Sequence, residues 1–104
     1  MCSDTNDLAV GHYVALSCNT YKEFIPQIAR LKNINETAGT ILVEWLHGAY
    51  HGTWIFWKTR GKVITETLPR RSILHTPVSF TKSMRLKNTD ISLLKQKYAT
   101  AEFV

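Results

Sequence analysis

Cysteine is scarce, and the two present, Cys2 and Cys18, form no spaced motif. That excludes a disulfide framework or a thiolate zinc site and leaves two free thiols, as expected in a reducing compartment. No apolar run approaches the roughly 20 residues of a membrane span. The N-terminus, MCSDTNDLAV, is acidic and lacks a basic start and an apolar core, so no signal peptide is expected. Without one, the sequon Asn35-Glu36-Thr37 carries little weight. No glycine-rich phosphate loop is present, and the acids are too scattered for paired-carboxylate chemistry. His47 and His51 stand four apart with no cysteine pair or carboxylate to complete a metal set. Neither an enzyme nor a bound cofactor or metal is expected. There is no internal repeat and no low-complexity segment.

What is present begins with an uneven charge. Residues 1–57 hold three Lys/Arg against five acids, and residues 58–104 hold ten against three, for a net +5. The mildly acidic first half suits a basic peptide; the basic second half suits a phosphate backbone. With 44% hydrophobic and 20% charged residues, the composition is that of one ordinary compact domain.

Along the chain, residues 1–9 read as a flexible lead. Val10 to Cys18 reads as a first strand and Phe24 to Ile34 as a second, with Pro26 confined to a strand start or edge. Thr40 to His47, TILVEWLH, is the strongest strand, rich in β-branched and aromatic residues. Thr53 to Thr59 follows as a fourth strand, Arg60-Gly61-Lys62 as a tight turn, and Val63 to Leu68 as a fifth, ended by Pro69. Ser72 to Leu74 suits one helical turn or a short strand, and Pro77 to Leu86 is ambiguous. A helix over about 89–99 is marked by Ile91, Leu94 and Tyr98 at helical spacing, with Asn88, Thr89 or Asp90 as N-cap. Short strands with short turns and one terminal helix predict a mainly β chain. The expected form is a small SH3-like antiparallel barrel of about five strands over 10–75, with a C-terminal extension over 76–104. The ending at Glu102-Phe103-Val104, straight after the helix, reads as that of an excised domain.

Trp45 to Trp57, WLHGAYHGTWIFW, gathers all three tryptophans, a tyrosine, a phenylalanine, two histidines and two glycines in thirteen residues. Such a cluster makes either a dense core or a cage for a cation. Trp54 and Trp57, three apart in a strand, must point to opposite faces. The aliphatic company of Ile55 argues that Trp57 is core and Trp54 exposed. The cage then comprises Trp45, Tyr50 and Trp54, closed by Tyr13, Tyr21 or Phe24, with Glu44 adding negative charge. Its ligand is a methylated ammonium, attracted at ~0.5–2 kcal/mol per contact. The opposing reading packs all three tryptophans inside.

The pattern Gly48-x-Tyr50-x-x-x-Trp54-x-x-Trp57 resembles that of chromo-barrel domains. The resemblance implies that Trp54 cages, Trp57 is buried, Tyr50 is the loop aromatic and Trp45 the strand-end aromatic. Pro26-Gln27-Ile28-Ala29-Arg30-Leu31, Val43-Glu44-Trp45 and Leu68-Pro69-Arg70-Arg71-Ser72-Ile73-Leu74 are similar to the BAH (bromo-adjacent homology) pattern. Val10-Gly11-x-x-Val14-Ala15 and Ile28-Ala29-Arg30 are similar to Tudor domains. All three imply a twisted barrel that reads chromatin in the nucleus, binding a histone tail or other methylated-lysine peptide. Two alternatives stay open. One is an interaction module of the same fold with a degenerate cage, gripping a protein partner by the helix face Ile91, Leu94 and Tyr98 or by the sheet edge. The other is a nucleic-acid module using Arg60, Lys62, Arg70, Arg71, Lys82 and Arg85, with salt-dependent and sequence-blind contacts to DNA, a nucleosome or RNA.

Overall fold

The structure is a computed structural model and describes residues 8–104. Cys2 and most of the expected flexible lead lie outside the described residues. Leu8, at its end, packs against the core.

Alternation of β-branched and aliphatic residues produces the main strands: β1 (Tyr13–Leu16), β2 (Gln27–Asn35) and β3 (Thr40–His47). The expected fourth strand is broken. Ile55–Phe56 (β4) pairs with the end of β3, while Lys58–Thr59 (β5) turns back on Lys62–Val63 (β6) as a separate hairpin. The hairpin tip needs left-handed backbone at Arg60 and Gly61, at φ 53° and 77°. β7 (Thr65–Pro69) pairs with the first half of β3, and a 3₁₀ turn over Arg70–Ser72 leads into β8 (Ile73–Val78).

All these pairings are antiparallel. The ladder runs β4-β3-β2-β1-β8, with β7 also on β3. β7 and β8, the two ends of the main ring, are joined by the 3₁₀ turn and not by a ladder, so the sheet curls without hydrogen-bonded closure. Pro26 lies just ahead of β2, and Pro77 sits in β8, at a sheet edge where a missing donor is tolerated. Helix α1 (Asn88–Ala99) arrives as expected, but Lys87 stands at its N-cap with no side-chain cap. Asp90 instead accepts a hydrogen bond from the Ser79 amide at 2.7 Å, tying the helix start to the end of β8. No helix among the described residues is long and apolar enough to cross a membrane.

The sheet is covered on both sides, which explains the core. Val14, Leu16, Ala29, Leu31, Ile41, Val43 and Trp45 point into the curl with Leu68. Ala15, Ile28 and Leu46, one residue out of phase, point the other way. There they meet Trp54, Val78, Leu86 and the helix residues Ile91, Leu94 and Tyr98. The apolar face of α1 is therefore covered by the chain's own sheet, with Ile91, Leu94 and Tyr98 at most 8% exposed. That removes the helix face as a surface for a protein partner and leaves the sheet edge.

Candidate functional site

The second, outward-facing core reverses the expected roles of two tryptophans. Trp54 and Trp57 do lie on opposite sides. Trp54, however, is buried at 1% exposure and Trp57 is half-buried. Strand parity places the two indoles on opposite faces but leaves open which face is covered. Ile55, taken as core company, is 55% exposed, while the 79–103 segment supplies a cover for Trp54. Trp54 packs near Phe80 (ring centroids 6.3 Å) and lies flat against Gly48. A Cβ at Gly48 would stand 2.6 Å from the indole, so only glycine fits there.

Trp57 instead faces an open pocket of about 650 Å³. Its lining includes Tyr21, Phe24, Trp45, His47 and Trp57, with Glu23 among the lining residues and Trp54 contributing to the wall. The rings are mutually tilted. Tyr21 meets Trp45 at 5.3 Å and 70°, and Trp57 at 6.3 Å and 59°. Phe24 meets Trp57 at 6.2 Å and 62°, and His47 meets it at 6.0 Å and 55°. Trp45, 3% exposed, forms the floor, while Phe24, 61% exposed, stands at the mouth. Tilted faces around an open space are the geometry that attracts a cation and excludes a carboxylate.

Each ring is held by a named partner. Trp45 lies two residues before the end of β3, and its indole N–H donates to a Glu66 carboxylate oxygen at 3.0 Å from neighbouring β7. The Tyr21 phenol is pushed above its usual range, first by burial and then by the same carboxylate. Glu66 thus acts on both rings, accepting from the Trp45 indole and facing the Tyr21 phenol. Trp57 is fixed by its backbone: its N–H donates to the Trp45 carbonyl at 2.9 Å, and its carbonyl accepts from Ile64 at 2.8 Å. Tyr21 ends a 3₁₀ turn (Asn19–Tyr21) that buried Gln27 clamps. The Gln27 amide donates to the Tyr21 carbonyl at 2.9 Å and the Cys18 carbonyl at 3.1 Å, and accepts from the Cys18 N–H at 2.8 Å. Tyr98 extends the clamp to α1, its hydroxyl accepting from the Gln27 N–H at 2.9 Å and donating to the Leu16 carbonyl at 2.6 Å.

Of the seven residues expected in the cage, the structure brings Trp45, Tyr21 and Phe24 together, buries Trp54 and leaves three elsewhere. Tyr13 packs edge-on against Phe80 at 4.8 Å on the helix side. Tyr50 leans on the second core, with the Lys95 ammonium 5.2 Å above its ring. Glu44 pairs with Arg30 at 2.7 Å on the outer face of β3, and that guanidinium covers Phe56. Sequence reasoning missed Trp57 and Glu66 as members of the site. The tryptophan spacing already marked Trp57 as opposite to Trp54; nothing local marked Glu66.

The six expected phosphate-binding cations fall on three separate segments. Arg60 and Lys62 belong to the β5–β6 hairpin, exposed beside Lys58 and without an ion-pair partner among the described residues. Arg70 pairs with Glu36, and Arg71 follows it in the 3₁₀ turn. Lys82 and Arg85 lie in the turn before α1, where Arg85 donates to the His51 carbonyl at 3.3 Å. Cys18 is a buried free thiol.

No protein-family model matches the chain, and no solved structure matches it significantly. It is 32% identical over 93 residues to Nipped-B-like protein B of Danio rerio, a match covering 86% of this chain and 3% of that protein. It is 29% identical over 112 residues to the Nipped-B-like proteins of Mus musculus and Homo sapiens, covering 96% of this chain and 4% of each. The chain thus spans a small fraction of the length of the curated relatives it matches.

Proposed function

We propose that this chain is a non-enzymatic chromatin reader module that binds a methylated lysine side chain of a basic peptide, such as a histone tail. The ligand sits in the pocket of Tyr21, Phe24, Trp45 and Trp57. The observation that carries the reading is the set of tilted rings around an open space, backed by the buried-side carboxylate Glu66. Methylation removes ammonium hydrogens that need water, so the cation is cheaper to desolvate against π-faces, each contact contributing ~0.5–2 kcal/mol. Similarity to Nipped-B-like proteins fits a chromatin-associated, nuclear setting.

The test is an NMR titration of the chain with trimethylated and unmodified copies of one basic peptide. Methyl-dependent shifts are expected at the Trp57 indole N–H and in the Tyr21 and Phe24 rings, with the Trp54 indole quiet. Equal binding of both peptides, or silence at millimolar concentration, overturns the reading. A second reading, DNA contact by Lys58, Arg60 and Lys62, is favoured by the unpaired exposed cations of the β5–β6 hairpin. It predicts affinity that falls steeply with salt and is lost when the three are replaced by serine.

A further inference from the structure

Among the described residues, five large apolar side chains are well exposed: Val10, Phe24, Ile25, Ile55 and Val104. Three of them, Phe24, Ile25 and Ile55, lie around the aromatic pocket. Phe24 and Ile25 line it directly. Ile55 reaches it through β4: it is the cross-strand partner of His47, which lines the pocket and touches Trp57. Directly opposed residues of an antiparallel pair project to the same side, so Ile55 stands beside His47. Trp57 lies two residues further along and shares that side. Phe24, Trp57, His47 and Ile55 therefore form one continuous strip of three rings and an isoleucine, apolar but for the His47 imidazole and open at one end into the pocket. Surface apolar groups scattered singly need no explanation; a contiguous strip that borders a pocket does.

The strip lies at an edge. β4 ends the ladder, and no strand pairs with its outer side among the described residues; just before it, Thr53 bridges to Arg85 and the Trp54 N–H donates to the Met84 carbonyl at 2.8 Å. An extended ligand running along such an edge has the spacing of a strand: side chains at i and i+2 share a face and stand ~6.6–7 Å apart. Trp57 and Ile55 are themselves two apart. A ligand whose cation enters the pocket at Trp57 thus brings the side chain two residues away over Ile55. The negative charge near the pocket, Glu23 in its lining and Glu66 bonded to its floor, suits a cationic occupant and not a second copy of this chain, which carries a net +5.

We infer that the site reads two side chains of one extended segment: the methylated lysine in the ring pocket, and a bulky aliphatic residue two positions away on the Ile55–His47 ledge. The inference rests on the reading proposed above and specifies its ligand further. The ledge rewards a Leu, Ile or Val and is indifferent to its stereochemical detail, because one exposed isoleucine and one imidazole make a flat surface and not a fitted hole.

The experiment measures Kd by fluorescence anisotropy for trimethyllysine peptides carrying leucine or serine two positions before or after the modified lysine. The wild-type chain, Ile55→Thr and Trp57→Ala are compared. Half-burial of one leucine predicts about fivefold tighter binding of one of the two leucine registers over its serine counterpart. Ile55→Thr keeps a β-branched residue in an exposed strand position, so it stays folded. It should erase the leucine preference while keeping methyl-dependent binding, whereas Trp57→Ala loses the methyl dependence. Methyl-dependent binding with no leucine preference in either register overturns this inference and leaves the ring pocket standing. Loss of all methyl dependence in the wild type overturns both. Concentration-dependent self-association of the wild type that Ile55→Thr abolishes would assign the ledge to a homodimer and also overturn it.

Discussion

Replacing Trp54 and Trp57 separately by alanine divides core from site, and the two substitutions should do opposite things. Trp54 is 1% exposed, against the 79–103 cover. Its indole N–H has no hydrogen-bond partner among the described residues, so truncation forfeits packing alone. Burying ~250 Å² of ring at ~25 cal/mol per Å² sets an upper bound near 6 kcal/mol. Measured Trp-to-Ala losses in cores run ~3–5 kcal/mol. Against a total stability of ~5–15 kcal/mol, that is a large fraction. At ~4–8 °C per kcal/mol for a domain of this size, Tm should fall by roughly 12–40 °C. Trp57 is half-buried at the pocket wall, and its loss should cost only about 1–2 kcal/mol, a fraction of the core value. Methyl-dependent binding should nevertheless disappear. Differential scanning calorimetry and peptide titration on the same two variants read both quantities. A Trp57→Ala protein destabilised as much as Trp54→Ala, or one that keeps full methyl-dependent affinity, would refute the assignment of Trp57 to the site.

Further expectations concern what supports that site. Gly48→Ala forces a methyl against the Trp54 indole at 2.6 Å and should destabilise by about 1–3 kcal/mol, seen as a lower midpoint in urea. Glu66→Ala removes the charged acceptor of a buried indole N–H and should cost ~1.5–3 kcal/mol, and Glu66→Gln should recover part of that stability without the charge. The Gln variant should then bind the methylated peptide more weakly than wild type in a fluorescence titration. His75 is held below its ordinary value of 6.5, first by burial and then by the Lys97 ammonium, whose nitrogen lies 3.2 Å from its Nδ1. The unfolded chain therefore binds the proton more readily, and stability should rise with pH up to about 6.5 and be lost on acidification below it. His75→Gln should flatten that slope in denaturation midpoints measured between about pH 5 and 7.5.

Local patterns carried much of the fold. β-Branched alternation marked β3 to the residue, helical spacing of Ile91, Leu94 and Tyr98 marked α1, and the short-strand rhythm marked a mainly β antiparallel chain. These patterns are legible because each depends on neighbours within a few residues. The broken fourth strand was not, because Lys58–Thr59 pairs with a hairpin partner and leaves the main sheet.

The site divides in the same way. From the sequence alone came the aromatic wealth of Trp45 to Trp57, the opposition of Trp54 to Trp57, and the candidacy of Tyr21 and Phe24. Tertiary structure alone decided which tryptophan faces the pocket. Strand parity relates two side chains to each other, but the inward side depends on what covers each face, and here both faces are covered. The second cover comes from residues 79–103, far along the chain, where the sequence shows little pattern before the helix. Likewise, only the packed chain brings Tyr21 to Trp45, through the Gln27 clamp, and Glu66 to both rings, since neither contact joins residues close in sequence.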